Sequence, residues 1–153
     1  MSFFPRDEYY MRLALREAER AVEHDDVPIG CVIARDGEVV AAFPNERELR
    51  QDPTAHCEIL ALREAARSAG SWRLNADVLY VTLEPCAMCA GAISLARVAR
   101  LVYAAADPKG GAVEHGPRFF AQPTCHHRPQ VARAGDADAA GRVLQDFFRA
   151  RRG

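Results

Sequence analysis

Two short patterns constrain this chain more than any other feature: His56-Cys57-Glu58 and Pro85-Cys86-Ala87-Met88-Cys89. Imidazole and thiolate are ligands of a tetrahedral ion, and a His56, Cys86, Cys89 set is complete only if the fold brings two separate segments together. Both patterns would arise by chance in a chain of this length with a probability on the order of 10⁻⁴. Cys86 and Cys89, three apart on a helix, project from neighbouring points of one face, so their sulfurs can grip one ion while His56 approaches from the other segment.

Three protein ligands leave the fourth position of a zinc ion open to water, whereas structural zinc sites close with a fourth Cys or His. The ligand count therefore predicts chemistry, with Zn2+ as the cofactor, one per subunit. Zinc lowers the pKa of its water to about 7, which furnishes a nucleophile for an amidine-like ring carbon at neutral pH. An exocyclic amine leaves only once the ring nitrogen, and then the amine itself, has been protonated, so a carboxylate must carry protons. Glu58, two residues from His56, points along a different ray, stays off the metal and is the expected catalytic shuttle. A dithiol redox site would give His56 and Glu58 no role, and the sequence around Cys86 does not read as the βαβ unit such a site needs. A second cluster, Cys125-His126-His127, could complete a closed metal site, but polar loop packing explains it as well. Cys31 and Cys57 read as small buried apolar residues.

With 153 residues and 49% hydrophobic content, residues 1–153 are expected to fold as one domain around one core. The five cysteines are odd in number and the segment Met1–Glu8 carries no apolar leader, which points to a reducing, cytoplasmic setting. No apolar run approaches a membrane span. A net charge of −1 excludes a general phosphate binder, so no DNA partner is expected and any RNA contact must be local. Lys109 is the only lysine.

Apolar residues at Met11, Leu15, Ala18 and Val22 predict an amphipathic helix over 7–24. Strands follow over 29–34 and 39–43, joined at Asp36-Gly37 as a hairpin. After a polar loop, Asp52 as N-cap and Pro53 as first residue predict a helix to Ala69, ended by Gly70. Residues 77–83 read as a buried strand, Glu84-Pro85 as the start of the next helix, 98–104 as a strand and 108–129 mainly as loop. A final helix covers 136–151, and strands separated by helices imply a layered α/β domain.

On Val27-Pro28-Ile29-Gly30, Asp52-Pro53-Thr54-Ala55-His56-Cys57-Glu58-Ile59, Leu79–Cys86, Cys89-Ala90-Gly91-Ala92 and the tail Asp146–Arg152, in this order and spacing, the chain resembles the bacterial tRNA adenosine deaminases of the cytidine/deoxycytidylate deaminase superfamily. Their motif pair is the known signature of zinc deaminases. The resemblance implies a three-layer α/β/α, cytidine-deaminase-like fold with a five-stranded mixed sheet, and a homodimer acting on the wobble adenosine of a tRNA anticodon stem-loop. It also implies substrate contacts from Asn45, Asp107, Lys109, Phe147, Phe148 and Arg149. An anticodon loop already exposes its bases, so one adenosine is flipped at little cost without a globally basic protein. Two departures stand out: Cys57 replaces the family's usual Ala, and 114–128 differs from the best-known members. The alternatives are a deaminase of a free base or nucleoside on the same fold, and a non-catalytic zinc or RNA-binding module, in which Glu58 would have no use.

Overall fold

The Asp36-Gly37 pair turns the chain as its chemistry demands, both residues having positive φ (52° and 81°), the conformation of a tight hairpin turn. It joins β1 (Gly30–Arg35) to β2 (Glu38–Pro44) in antiparallel register, with an irregularity between Ile33 and Ala34. The computed structural model describes residues 6–152; of the N-terminal segment read above, residues 1–5 lie outside the described residues, as does residue 153. Helix α1 (Arg6–Val22) precedes the hairpin. A single helical turn, α2 (Arg47–Arg50), then α3 (Cys57–Ala69), β3 (Asp77–Leu83), α4 (Ala87–Leu95), β4 (Arg100–Ala105), β5 (Gln130–Arg133) and α5 (Ala137–Arg152) follow it.

The sheet order is β2-β1-β3-β4-β5. β1 runs antiparallel to β2 and β3, while β3, β4 and β5 are mutually parallel, so the five-stranded sheet is mixed. Parallel neighbours need a crossover: α4 supplies it between β3 and β4, and an irregular segment containing a 3-10 turn at Phe119–Ala121 supplies it between β4 and β5. Cys86 and Cys89 thus do lie in a βαβ unit, contrary to the sequence reading, and only His56 and Glu58 separate the site from a dithiol one.

Strand side chains alternate between two cores. Cys31, Ile33, Leu79, Val81, Leu101 and Tyr103 pack with α3 and α4, and Val32, Ala34, Tyr80, Val102 and Ala104 with α1 and α5. Both faces are covered, which is why the central strands read as unbroken apolar runs. The layers are therefore α/β/α.

Two devices hold α1 to the sheet. At its first turn the Asp7 carboxylate accepts both guanidinium nitrogens of Arg100 (2.8 and 2.7 Å) and the Tyr80 hydroxyl (2.8 Å), all three groups buried. Further along, Ala14, Ala18 and Ala21 are fully buried, and Gly30 lies so close that a Cβ there would stand 2.1 Å from the Ala14 carbonyl oxygen and 2.3 Å from the Ala18 nitrogen. Only glycine permits that approach.

Candidate active site

Two helix starts meet above the sheet. Both helices begin later than the sequence predicts. Asp52 and Pro53 do not open a helix, because the Asp52 carboxylate accepts the backbone N–H (2.9 Å) and hydroxyl (2.8 Å) of Thr54 in a local turn. His56 is the N-cap of α3 and Cys86 that of α4, neither spending its side chain on a capping bond. Pro85 likewise lies before its helix. The freed side chains face each other: His56 Nδ1 is 3.7 Å from Cys86 Sγ and 3.6 Å from Cys89 Sγ. The three ligand atoms lie within 4.8 Å of one another, the group among the described residues placed to hold a metal ion.

The donor set fits zinc. With Zn–N near 2.0 Å and Zn–S near 2.3 Å, a tetrahedral ion requires an N···S edge of roughly 3.5 Å, close to the separations found. Among themselves the three groups divide their protons unequally. The hydrogen bond with Cys89, outweighing partial burial, holds the Cys86 thiol down at about 4, and contact with Cys86 raises the His56 imidazole. The same bond with Cys86, and burial, push Cys89 up. A thiolate at a helix N-terminus also gains from the exposed N–H dipoles.

Glu58 lies in the first turn of α3, 4% exposed, and burial raises its carboxyl above the ordinary glutamate range. The Cys57 thiol donates to Glu58 Oε1 at 3.2 Å. Cys31 and Cys57 are both fully buried, as expected of them, but the bond from Cys57 to the carboxylate was not foreseeable from a residue read as apolar.

The residues expected at the substrate divide into two groups. Asn45 is 3% exposed, and both ends of its amide are engaged: Oδ1 accepts the Cys57 N–H (2.8 Å) and Nδ2 donates to the Val27 carbonyl (3.2 Å). It thereby supplies the N-terminal partner of α3 that His56 does not. Asp107 turns its Oδ1 onto the N–H groups of Lys109 (3.3 Å) and Gly110 (3.0 Å), shaping its own loop. Phe147 is buried, with the Arg151 guanidinium 4.2 Å above its ring, and Arg151 also reaches the Asp25 carboxylate (2.9 Å). Lys109, Phe148 and Arg149 are exposed.

In the second cysteine–histidine cluster Cys125 and His127 are consumed by packing, while His126 is exposed. His127 Nε2 donates to the Val98 carbonyl (2.7 Å), Ser94 Oγ donates to the His127 carbonyl (2.7 Å), and the Cys125 thiol donates to the same carbonyl (3.2 Å). Sequence reasoning missed Glu84, read merely as a helix opener. Its carboxylate, 2% exposed, gathers the 107–115 segment. Burial alone pushes this carboxyl up, but the N–H groups of Asp107, Glu114 and Val113 and the His115 ring together outweigh it and bring it to about 2. No local signal marks this role, since every partner lies more than twenty residues onward.

The sequence profile of the MafB19-like deaminase family matches residues 6–152. A tRNA-specific adenosine deaminase of Agrobacterium fabrum is 52% identical over 144 residues, covering 94% of this chain and 95% of the relative. A solved structure from a study of A-to-I editing by tRNA:A34 deaminases at the wobble position is 56% identical, with a TM-score of 0.80 over 82% of this chain and 97% of that one. A guanine deaminase of Bacillus subtilis shares the fold at greater distance, with 28% identity and a TM-score of 0.64 over 95% and 94% of the two chains. On the whole length of its described residues, the chain belongs to the MafB19-like deaminases and, within them, to the tRNA-specific adenosine deaminases.

Proposed function

We propose that this chain, residues 1–153 as one deaminase domain, hydrolyses the wobble adenosine of a tRNA anticodon to inosine, with zinc on His56, Cys86 and Cys89 and with Glu58 as proton carrier. The observation that carries the chemistry is the meeting of those three ligand atoms within 4.8 Å beside a buried carboxylate. The substrate follows from the likeness, at 52% identity, to a protein named for tRNA adenosine. When bound, zinc makes a water nucleophilic at neutral pH. Glu58 takes one proton from the attacking water and delivers it to the ring nitrogen, then takes the second from the hydroxyl so added and delivers it to the departing amine, so that a C–O bond replaces the C–N bond and ammonia leaves. Burial of Glu58 keeps these protons from bulk solvent.

Lys109, Phe148 and Arg149 present exposed side chains to the RNA, giving a phosphate contact, a stacking surface and a second cation. Asn45, Asp107 and Phe147 complete the proposed substrate-binding set. The homodimer expected of the family is supported by an apolar face on α4, where Met88, Ala92 and Leu95 recur at helical spacing. Leu95 is 73% exposed and the adjoining Trp72 53%. The cytoplasm is the proposed location, where the tRNA substrate is found and cysteines stay reduced; none of the five forms a disulfide here.

The test is incubation of zinc-loaded protein with an anticodon stem-loop and, separately, with free adenosine, guanine and cytosine, each followed by mass spectrometry. Conversion of the stem-loop at its wobble adenosine is expected. Turnover of a free base with the stem-loop untouched would refute the substrate assignment.

A further inference from the structure

Glu84 directly follows β3, two residues before the ligand Cys86, and its backbone N–H is fixed to the Ala105 carbonyl of β4 (2.9 Å). From that anchored position its side chain collects five donors. Oε1 accepts the Asp107 N–H (3.0 Å) and the His115 Nδ1–H (2.8 Å). Oε2 accepts three successive backbone N–H groups, those of Val113 (3.1 Å), Glu114 (2.9 Å) and His115 (3.1 Å). Consecutive N–H groups converging on one oxygen form a concave anion cradle, here filled by the protein's own carboxylate. Gly111 closes over it: a Cβ there would stand 2.5 Å from the Glu84 carboxyl carbon and 2.6 Å from the Asp107 carbonyl oxygen. The Ala112 N–H adds a bond to the Pro85 carbonyl (2.9 Å), beside Cys86.

The segment so held is the one that carries Asp107 and Lys109, and it has no regular structure of its own. A loop of this kind, left to itself, would sample many positions and pay ordering entropy on binding substrate. A carboxylate rooted beside a candidate metal ligand removes that freedom and ties the loop to the segment bearing Cys86. We propose that Glu84 and His115 are positioning residues for the substrate loop, setting Lys109 against the RNA backbone in register with the metal site. This rests on the RNA reading above. His115 is the accessible half of the pair, its side chain 38% exposed against 0% for Glu84.

The experiment compares zinc-loaded wild type with His115→Ala, His115→Asn and Glu84→Gln, measuring KM and kcat on an anticodon stem-loop, zinc content, and amide exchange of residues 107–115. His115→Ala removes one of five donors without touching the core, so it is expected to fold, to keep zinc, and to raise KM about tenfold with kcat within about threefold. His115→Asn, whose amide donates from nearly the same point as Nδ1, is expected to restore KM. Glu84→Gln turns N–H groups toward N–H groups and is expected to raise KM further, with faster exchange at Val113 and Glu114. Unchanged KM in zinc-loaded His115→Ala and Glu84→Gln, or a fall in kcat alone, overturns the inference. A wild type that ignores the stem-loop but deaminates a free base overturns the RNA reading as well, and the wild-type arm shows which has failed.

Discussion

Asn45→Ala tests whether this buried amide holds the catalytic helix or merely waits for substrate. The substitution deletes an acceptor from the Cys57 N–H, which is buried, and a donor from the half-buried Val27 carbonyl. Each hydrogen bond is worth about 0.5–1.5 kcal/mol net, and a buried group left without a partner costs about 1–3 kcal/mol. The fully buried Cys57 N–H bears the larger share, so the sum comes to roughly 2–4 kcal/mol. For a domain of this size, that corresponds to a fall of roughly 5–15 °C in midpoint. Urea unfolding of both proteins at one fixed excess of zinc is the assay, because metal binding to the native state adds to apparent stability by an amount that grows with the logarithm of free zinc. Since Cys57 lies between His56 and Glu58, a loosened first turn should also weaken zinc retention against a chelator. A loss below about 0.5 kcal/mol, within the range of an ordinary surface change, would refute the reasoning and leave Asn45 as a substrate contact without a structural role.

Glu58→Ala should retain zinc, measured by atomic absorption, while deamination falls by roughly 10²-fold or more; normal turnover would remove Glu58 from the mechanism. Cys86→Ala should lose the metal, and a zinc content equal to wild type would show that the ion is held elsewhere. Arg100→Met breaks the buried pair with Asp7 and should cost about 3–5 kcal/mol in denaturant unfolding, a loss under about 1 kcal/mol contradicting its weight. Leu95→Asp should convert the proposed dimer to a monomer in sedimentation velocity, and an unchanged mass would place the contact on another face.

The parts of the fold legible in the sequence are those written locally. Asp36-Gly37 announces its turn, the 77–83 strand matches its apolar run, and α1 and α5 follow from periodicity within a residue or two. The starts of α3 and α4 were misplaced for one reason: Asp52-Pro53 and Glu84-Pro85 carry helix-opening chemistry, but their carboxylates bond elsewhere, to Thr54 and to the 107–115 loop. β5 is four residues long, mostly exposed and without alternation, so nothing in its sequence distinguishes it from loop until β4 pairs with it. The metal triad was readable because its ligands are chemically rare types at tight spacing. The roles of Asn45 and Glu84 were not, because each is defined by partners brought near only by the folded chain, and that of Cys57 was not, because its donation to the adjacent Glu58 depends on how the two side chains turn in the first turn of α3.

The seam between α1 and β1 acts as a ruler for the molecule. With Ala14 and Ala18 pressed onto Gly30, even one added methyl would force the helix outward. Its first turn is riveted by Asp7 to Arg100 and Tyr80, so the displacement cannot be a uniform retreat and must be a tilt. The far end would swing, carrying with it the Asp25–Val27 bend that grips Asn45 on one side and Arg151 on the other. A methyl group far from the metal could thus unsettle both the helix bearing His56 and the tail bearing Phe148.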